Sequence, residues 1–332
     1  MVLQMNAEKQ PLVSVLTPVY NGEKYLSECI DSVLAQTYQN WEYCIVNNCS
    51  TDRTLEIAQS YAERDKRIRI HNNVDFVGCD PNGNIAFRQI SPESKYCKVV
   101  HADDWIFPEC ITKMVELAEA HPTVAIVSAY GLRNVRVAWD GLPYTSGGVI
   151  PGREIGRGTL LGGPYVFGSP TSMLIRSDEV RKRPSFYNED NPHCDIEACL
   201  DILRDRDFGF VYQVLTFTRD HAQSETAFCS RFGTDYLANL EHLNKYGRAY
   251  LEEPEFRKTM KRSWDRYYKF LGAKALQRGE KGFWKFHQDA LNRLGYSLNW
   301  MRVAKVVTAE ILALAANPLN TLARLIRKSG IY

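Results

Sequence analysis

Two adjacent aspartates, Asp103 and Asp104, close the run KVVHADDW at the point where its apolar residues give out. Neighbouring carboxylates repel one another, and such a pair persists most readily where a cation compensates it. Hard oxygen ligands suit magnesium or manganese, and either ion clamps a diphosphate. In isolation the pair would more simply be a helix cap beside a solvated side chain. Its place at the carboxyl end of a strand, with two other polar loops nearby, favours the cation. A second acidic group lies in HCDIEACLDILRDRD, where Asp195, Glu197 and Asp201 alternate with the apolar residues Ile196, Cys199, Leu200 and Leu203 at helical spacing. Asp195 stands first, where a carboxylate either caps the helix or faces a cleft. His101 and His193 read as packing or supporting residues.

The elements that must hold these groups follow from the periodicity. Residues 12–17 (LVSVLT) read as a strand ending at Pro18, and Asn21-Gly22 as a turn. Residues 23–36 place Tyr25, Leu26, Cys29, Ile30, Val33 and Leu34 on one helical face. A strand over 42–46 follows, then a helix to about residue 63 for which Ser50, Thr51 and Asp52 offer capping oxygens. Residues 68–71, 97–101, 124–130 and 208–218 read as further strands, with helices around 85–88 and 110–120 between them. This rhythm predicts a mostly parallel central sheet covered on both faces, a Rossmann-like α/β domain. Ligands of such domains bind at the carboxyl ends of the strands, in the loops 18–21, 47–52 and 101–105. The first strand is not followed by G-x-G-x-x-G and no G-x-x-x-x-G-K-[ST] occurs, so dinucleotide and P-loop readings lose their main support.

The segment PLVSVLTPVYNGEKYLSECIDSVLAQTYQNWEYCIVNNCSTDRT, followed by the strand ending in HADDW, resembles the family 2 glycosyltransferases of the GT-A fold. The similarity covers roughly residues 11–226. It implies a metal-dependent, inverting transfer of a sugar from a nucleotide diphosphate sugar to a hydroxyl acceptor. Carried onto this sequence, Pro18 and Tyr20 contact the base, Asn48 takes the base-reading position, Asp104 binds the metal and Asp103 lies near the ribose. The family's aspartate at the start of the acceptor-side helix is its general base, a role that falls to Asp195, with Glu197 in reserve. A histidine near the end of the family's catalytic domain reaches the metal or the diphosphate, which points to His221. The region 168–172 shapes the acceptor side. Two departures stand out: Asn47-Asn48 replaces the usual pair of acids, and the Arg-Asn pair before the acidic strand is missing, leaving Asn84 as its counterpart. An amide both donates and accepts, where a carboxylate only accepts.

The resemblance assigns 1–226 to a GT-A nucleotide-sugar-binding and catalytic domain and leaves 227–332 as a basic, mainly α-helical C-terminal region. From residue 256 onward sixteen Lys or Arg face four Asp or Glu, net +12, against 25 and 35 in the remainder, net −10. Helices are expected over 256–277, 282–294 and 300–316. The most apolar stretch, 306–316, is about half of the ~20 residues a membrane-spanning helix needs. Amphipathic basic helices fit an anionic membrane surface, another subunit in a homo-oligomer, or the main domain. Nothing resembles a nucleic-acid module, so no nucleic acid partner is expected. Nine scattered cysteines without a C-x-x-C pair and an N-terminus with no apolar run predict reduced thiols in the cytoplasm, with peripheral membrane attachment. The expected partners are a nucleotide sugar and a glycan or lipid-linked acceptor in cell-surface polysaccharide biosynthesis. Two alternatives are a sugar nucleotidyltransferase, although TPVYNGEKY lacks its glycine-rich basic loop, and a catalytically inactive nucleotide- or glycan-binding domain.

Overall fold

The computed structural model describes residues 10–138, 141–221, 225–277 and 280–316. The chain divides into two compact units, Met1–Ser224 and Glu225–Tyr332. The strands of the first are β1 (Val13–Val19), β2 (Trp41–Asn47), β3 (Ile68–Asn72), β4 (Tyr96–Val99), β5 (Trp105–Ile106), β6 (Val124–Arg133), β7 (Arg136–Ala138), β8 (Val149–Ile150), β9 (Leu174–Arg176) and β10 (Asp207–Thr218). Its helices are α1 (Leu26–Leu34), α2 (Thr54–Ala62), α3 (Cys79–Phe87), α4 (Cys110–Ala120), α5 (Gly152–Leu161), α6 (Ser177–Arg181) and α7 (Cys194–Ile202).

Among the described residues the strands form one sheet in the order β3-β2-β1-β4-β9-β6-β10-β5, with β7 beside β6 and β8 beside β10. The long pairings, β1 with β2 and β4, β2 with β3, and β6 with β10, are parallel. The short strands β5, β7, β8 and β9 enter antiparallel. The sheet is therefore mostly parallel by length, as expected, with β9 as an antiparallel wedge between β4 and β6. The chain winds outward from β1 through β2 to β3 and returns to β4 on the other side of β1. That reversal places a crevice between the loops after β1 and β4, where ligands of doubly wound sheets sit.

Period-two alternation explains the two faces. Val13, Val15 and Val19 of β1 point to one core with Leu26, Cys29, Ile30 and Val33 of α1, and Ile111, Met114 and Val115 of α4. Leu16 points to the other, with Phe87 of α3, Ile155 of α5, and Ala198 and Cys199 of α7. Truncating one of these, such as Leu16→Ala, would cost about 2–5 kcal/mol.

Strand β1 continues through Pro18 to Val19 instead of ending at the proline. Leu16 O accepts from Val100 N, so the even-numbered peptide groups of β1 face β4. The next donor in that ladder would be the N–H that Pro18 lacks, and its acceptor would be Val100 O. The Thr17 hydroxyl donates to that carbonyl instead, at 2.7 Å. A proline is tolerated there because the neighbouring side chain satisfies the orphaned acceptor.

The second unit holds α8 (Glu225–Phe232), α9 (Thr234–Tyr250), α10 (Glu253–Leu276), α11 (Phe283–Arg293) and α12 (Trp300–Ala316). The last three match the expected helices. The first two were not anticipated; in α9 the buried residues Leu237, Leu240, Leu243 and Tyr246 recur at helical spacing but lie among polar neighbours. Its core is aromatic, with Tyr267, Tyr268 and Phe283 around the fully buried His287. The Tyr267 hydroxyl and Phe232 O hold the His287 ring from its two nitrogens, each at 3.0 Å, which fixes a neutral tautomer. Gly272 lets α12 close against α10: a Cβ there would lie 2.6 Å from Val306 Cγ1. No helix among the described residues is long and apolar enough to cross a membrane. The tail residues Leu322, Arg324, Leu325, Arg327 and Lys328 lie outside the described residues.

Candidate active site

Three loops meet at the carboxyl end of the sheet, and two of them hold non-glycine residues in the left-handed region, Asn21 (φ 50°) and Cys49 (φ 57°). Such conformations are strained and need support from their surroundings. Asn21 Oδ1 accepts from Thr51 N at 2.8 Å and Asn21 N donates to Ser50 Oγ at 3.0 Å, while Gly22 N donates to Thr54 Oγ1 at 2.7 Å. Asp52 completes the clasp by accepting from Glu23 N and Thr54 N, each at 3.0 Å. The loops after β1 and β2 are thus locked together before any ligand arrives.

At one end of the crevice Tyr20 is 49% exposed and meets Phe76 edge-on, with ring centroids 4.7 Å apart. Pro18 lies partly buried at the end of β1 beneath it. Asn48 is buried, and its amide pairs with the Val77 backbone, accepting from Val77 N at 3.0 Å and donating to Val77 O at 2.8 Å. Asn73 Nδ2 donates to Asn48 Oδ1 and Asn82 Oδ1. That leaves Asn73 Oδ1 as a buried acceptor without a partner. Buried acceptors are rarely left so without a reason. An asparagine in HNNVDF carries no local signal that sets Asn73 apart from any loop residue.

The acidic pair divides into two unlike carboxylates. Asp104 is 4% exposed. Its Oδ1 accepts from Arg219 N at 3.0 Å, and its Oδ2 accepts from the Thr171 hydroxyl at 2.7 Å. Burial, then the neighbouring Asp103 charge, push its pKa up to about 6. Asp103 faces the crevice: its side chain is 34% exposed, that of His221 is 26% exposed, and Oδ2 lies 2.9 Å from His221 Nε2. Arg219 packs its guanidinium 4.4 Å from the centre of the Tyr25 ring, donates from Nε to Asp103 O and pairs with Glu28 at 2.6 Å. One accessible carboxylate and one accessible imidazole make a donor set that fits manganese or magnesium, ions that keep positions for phosphate oxygens and water. Among the described residues no group of three or more His, Cys, Asp or Glu could hold a metal ion, so the remaining ligands would come from substrate and solvent.

Behind this pair lies Lys98, fully buried in β4. Its ammonium donates to Thr171 O and, at 3.1 Å, to Met173 O. Burial lowers its pKa and the Asp104 charge opposes that shift. Lys98 therefore anchors the turn that carries Thr171, whose hydroxyl also accepts from His101 N at 3.1 Å. Nothing in KYCKVVH tells which way its lysine faces; the packing turns it inward.

Asp195 lies in the first turn of α7 and accepts from Ile196 N at 2.8 Å. Burial raises its pKa above the ordinary carboxylate range, and the His193 and His101 charges oppose that rise. The influence of His101 links Asp195 to the strand end that bears Asp103 and Asp104. Tyr165 lies close enough to feel the Asp195 charge and donates its hydroxyl to Gly168 O at 2.8 Å. Glu197 is turned inward, accepting from Asn188 Nδ2 at 3.0 Å and Asn191 Nδ2 at 2.8 Å, so it braces the loop ahead of α7. Asn84 braces the same loop from α3: it donates to Tyr187 O and Glu189 Oε1 and accepts from Tyr187 N at 2.8 Å.

Residues 14–181, half of the chain, match the sequence profile described as "Glycosyl transferase family 2". Curated relatives include several named as glycosyltransferases, and the matches span 58% of their length or less. One is TuaG of Bacillus subtilis, whose name places it provisionally in teichuronic acid biosynthesis as a glycosyltransferase. It is 32% identical over 40% of this chain and 51% of its own length. Among solved structures, S. aureus TarS 1-349 in complex with UDP superposes with a TM-score of 0.60 at 18% identity, over 91% of this chain and 82% of TarS. The mannosyltransferase PcManGT of Pyrobaculum calidifontis, in complex with GDP-Man and Mn2+, superposes with a TM-score of 0.56 at 16% identity, over 95% of this chain and 88% of its own. At such identities the two structures establish a shared fold.

Proposed function

The chain belongs to glycosyl transferase family 2 and is a glycosyltransferase of GT-A fold, and we propose that it moves a sugar from a nucleotide diphosphate sugar to a hydroxyl acceptor with inversion and with a divalent metal. The observation that supports this reading is the partly exposed pair Asp103 and His221, 2.9 Å apart after β4 and β10, two groups able to ligate a cation. The base lies at the Tyr20–Phe76 end, where the two exposed rings offer a stacking surface and Asn48 holds the loop after β3. Asp103 and His221 hold the cation, with Asp104, anchored by Thr171 and Arg219, as the brace behind them. When bound, the cation neutralises charge on the leaving diphosphate. Asp195 takes the proton of the acceptor hydroxyl as its oxygen bonds to the anomeric carbon. The bond from that carbon to the diphosphate breaks on the opposite face, and nucleoside diphosphate leaves. A carboxylate with a raised pKa suits this role, since it accepts a proton more readily than an ordinary aspartate.

Similarity to TuaG supports a place in cell-surface polysaccharide biosynthesis. For the C-terminal unit we propose attachment to an anionic membrane surface on its cytoplasmic face. Lys258, Lys261, Arg262, Arg266 and Lys269 lie exposed on one side of α10, and Met301, Ile311 and Leu312 are exposed apolar residues of α12. The catalytic reading is tested by screening nucleotide sugars for manganese-dependent donor hydrolysis and transfer. Turnover of one donor class, lost on chelation, is the expected result; equal rates in chelator would remove the metal from the mechanism.

A further inference from the structure

A cavity of about 320 Å³ opens beside the C-terminal end of α3, away from the carboxyl-end loops. Phe87, Ile90, Val180 and Phe186 line it, with Phe87 and Phe186 in ring contact at 4.4 Å. Three arginines, Arg88, Arg181 and Arg183, also line it. The Arg183 charge is met by Asp201 at 2.5 Å. Among the described residues the other two pair with no carboxylate. Arg181 donates to the neutral carbonyls Ser91 O and Ser94 O at 2.6 and 2.7 Å. Arg88 is exposed and makes no ion pair among the described residues. Between the wall residues Ile90 and Pro92, the Ser91 hydroxyl is buried without a hydrogen-bond partner.

Two guanidinium groups without a carboxylate partner, on the wall of a cavity that also presents two phenyl rings, describe a definite ligand chemistry. The volume falls within the range of small-molecule sites. A guanidinium recognises a planar or tetrahedral anion through paired N–H groups, while the phenyl and aliphatic walls take apolar surface. We propose that this cavity is a second binding site, distinct from the donor crevice, for a small organic anion with an apolar body. The carboxylate or phosphate of such a ligand lies against Arg88 and Arg181, and its apolar part lies against the surface formed by Phe87, Ile90, Val180 and Phe186. A ligand seated here touches the segment that positions the acceptor side. Asn84, also in the wall, is hydrogen-bonded to Tyr187 and Glu189, and Tyr187 follows Phe186 directly and feels the Asp195 charge.

Phenyl phosphate is a probe of this chemistry, and inorganic phosphate is its control without an apolar body. Calorimetric titration of the full chain should show saturable one-to-one binding of phenyl phosphate, at least tenfold tighter than inorganic phosphate, and undiminished by saturating nucleoside diphosphate with manganese. Arg88→Glu should weaken binding at least tenfold, and so should Ile90→Trp, which fills the cavity. Both variants should keep the parent's affinity for nucleoside diphosphate, which shows that they are folded. Absence of saturable binding, displacement by nucleoside diphosphate, or binding unchanged in Arg88→Glu would each overturn the proposal. None of these readouts requires turnover, so they stand apart from the transfer mechanism.

Discussion

Replacing Asp195 by asparagine separates the proton acceptor from everything else its side chain does. The hydrogen bond from Ile196 N to Oδ1, 2.8 Å long, is one that an amide oxygen also accepts. The shape of the α7 N-terminus should therefore survive, and donor affinity, which we propose is set at the Tyr20 and Asp103 end, should change by less than about threefold. Removing a general base costs roughly 10²–10⁴ in rate, or about 3–5 kcal/mol of barrier at ~1.4 kcal/mol per tenfold. Stability should not fall. The folded state raises the pKa of Asp195 through burial, so this group contributes most favourably when protonated. That contribution is present below its ordinary carboxylate pKa and is lost as pH rises through the folded value. At neutral pH the neutral amide is free of that desolvation penalty, and the melting temperature of Asp195→Asn should equal or exceed the parent's. Steady-state transfer with donor and acceptor varied separately, together with thermal unfolding, measures all three quantities. The acidic limb of the parent's kcat profile should lie above the ordinary aspartate pKa and vanish in the variant. Turnover within tenfold of the parent, or a donor KM raised more than tenfold, would refute the assignment of Asp195 as base.

Asp103→Ala should reduce the manganese-dependent gain in nucleoside diphosphate affinity by roughly 10–100-fold, read by calorimetric titration with and without metal. If Asp104→Asn removes that gain while Asp103→Ala keeps it, the buried carboxylate is the ligand and the roles of the two reverse. His287, whose burial lowers its pKa to about 4, makes the C-terminal unit acid-sensitive. The unfolded chain takes up a proton near pH 6.5 and the folded one does not, so stability is full above that pH and falls by up to about 3 kcal/mol between 6.5 and 4. Urea unfolding of the full chain and of His287→Gln at pH 7 and 5 should show a smaller loss in the variant; equal losses would exclude His287 as the cause. Vesicles of anionic lipid should bind the full chain at low salt, and alanine at Lys258, Lys261 and Lys269 should remove about 3 kcal/mol, near a hundredfold in affinity. No sedimentation with anionic vesicles would end the membrane reading.

Local information was enough for the scaffold. Hydrophobic period fixes element type and face: Val13, Val15 and Val19 point one way and Leu16 the other, as alternation demands, and the loops that follow the strands must then gather at one end of a parallel sheet. The carboxylates Asp103, Asp104 and Asp195 stood out for the same reason: the first two close an apolar strand and the third opens an apolar-periodic helix. Their surroundings did not. The resemblance gives Asp104 to the metal and Asp103 to the ribose, whereas Thr171 and Arg219, 67 and 115 residues away from Asp104, bury Asp104 and leave Asp103 the accessible carboxylate. The same holds for Asn48, Asn84 and Glu197, polar residues that could face solvent or ligand and instead brace loops distant in the chain. Pro18 reads as a strand terminator because its missing N–H is a local fact, whereas the Thr17 hydroxyl that stands in for it at Val100 depends on where β4 lies. Periodicity is set by the few bonds between successive residues, so the sequence carries it. Burial, hydrogen-bond partner and pKa are set by whichever distant segment packs alongside, and those the tertiary structure alone decided.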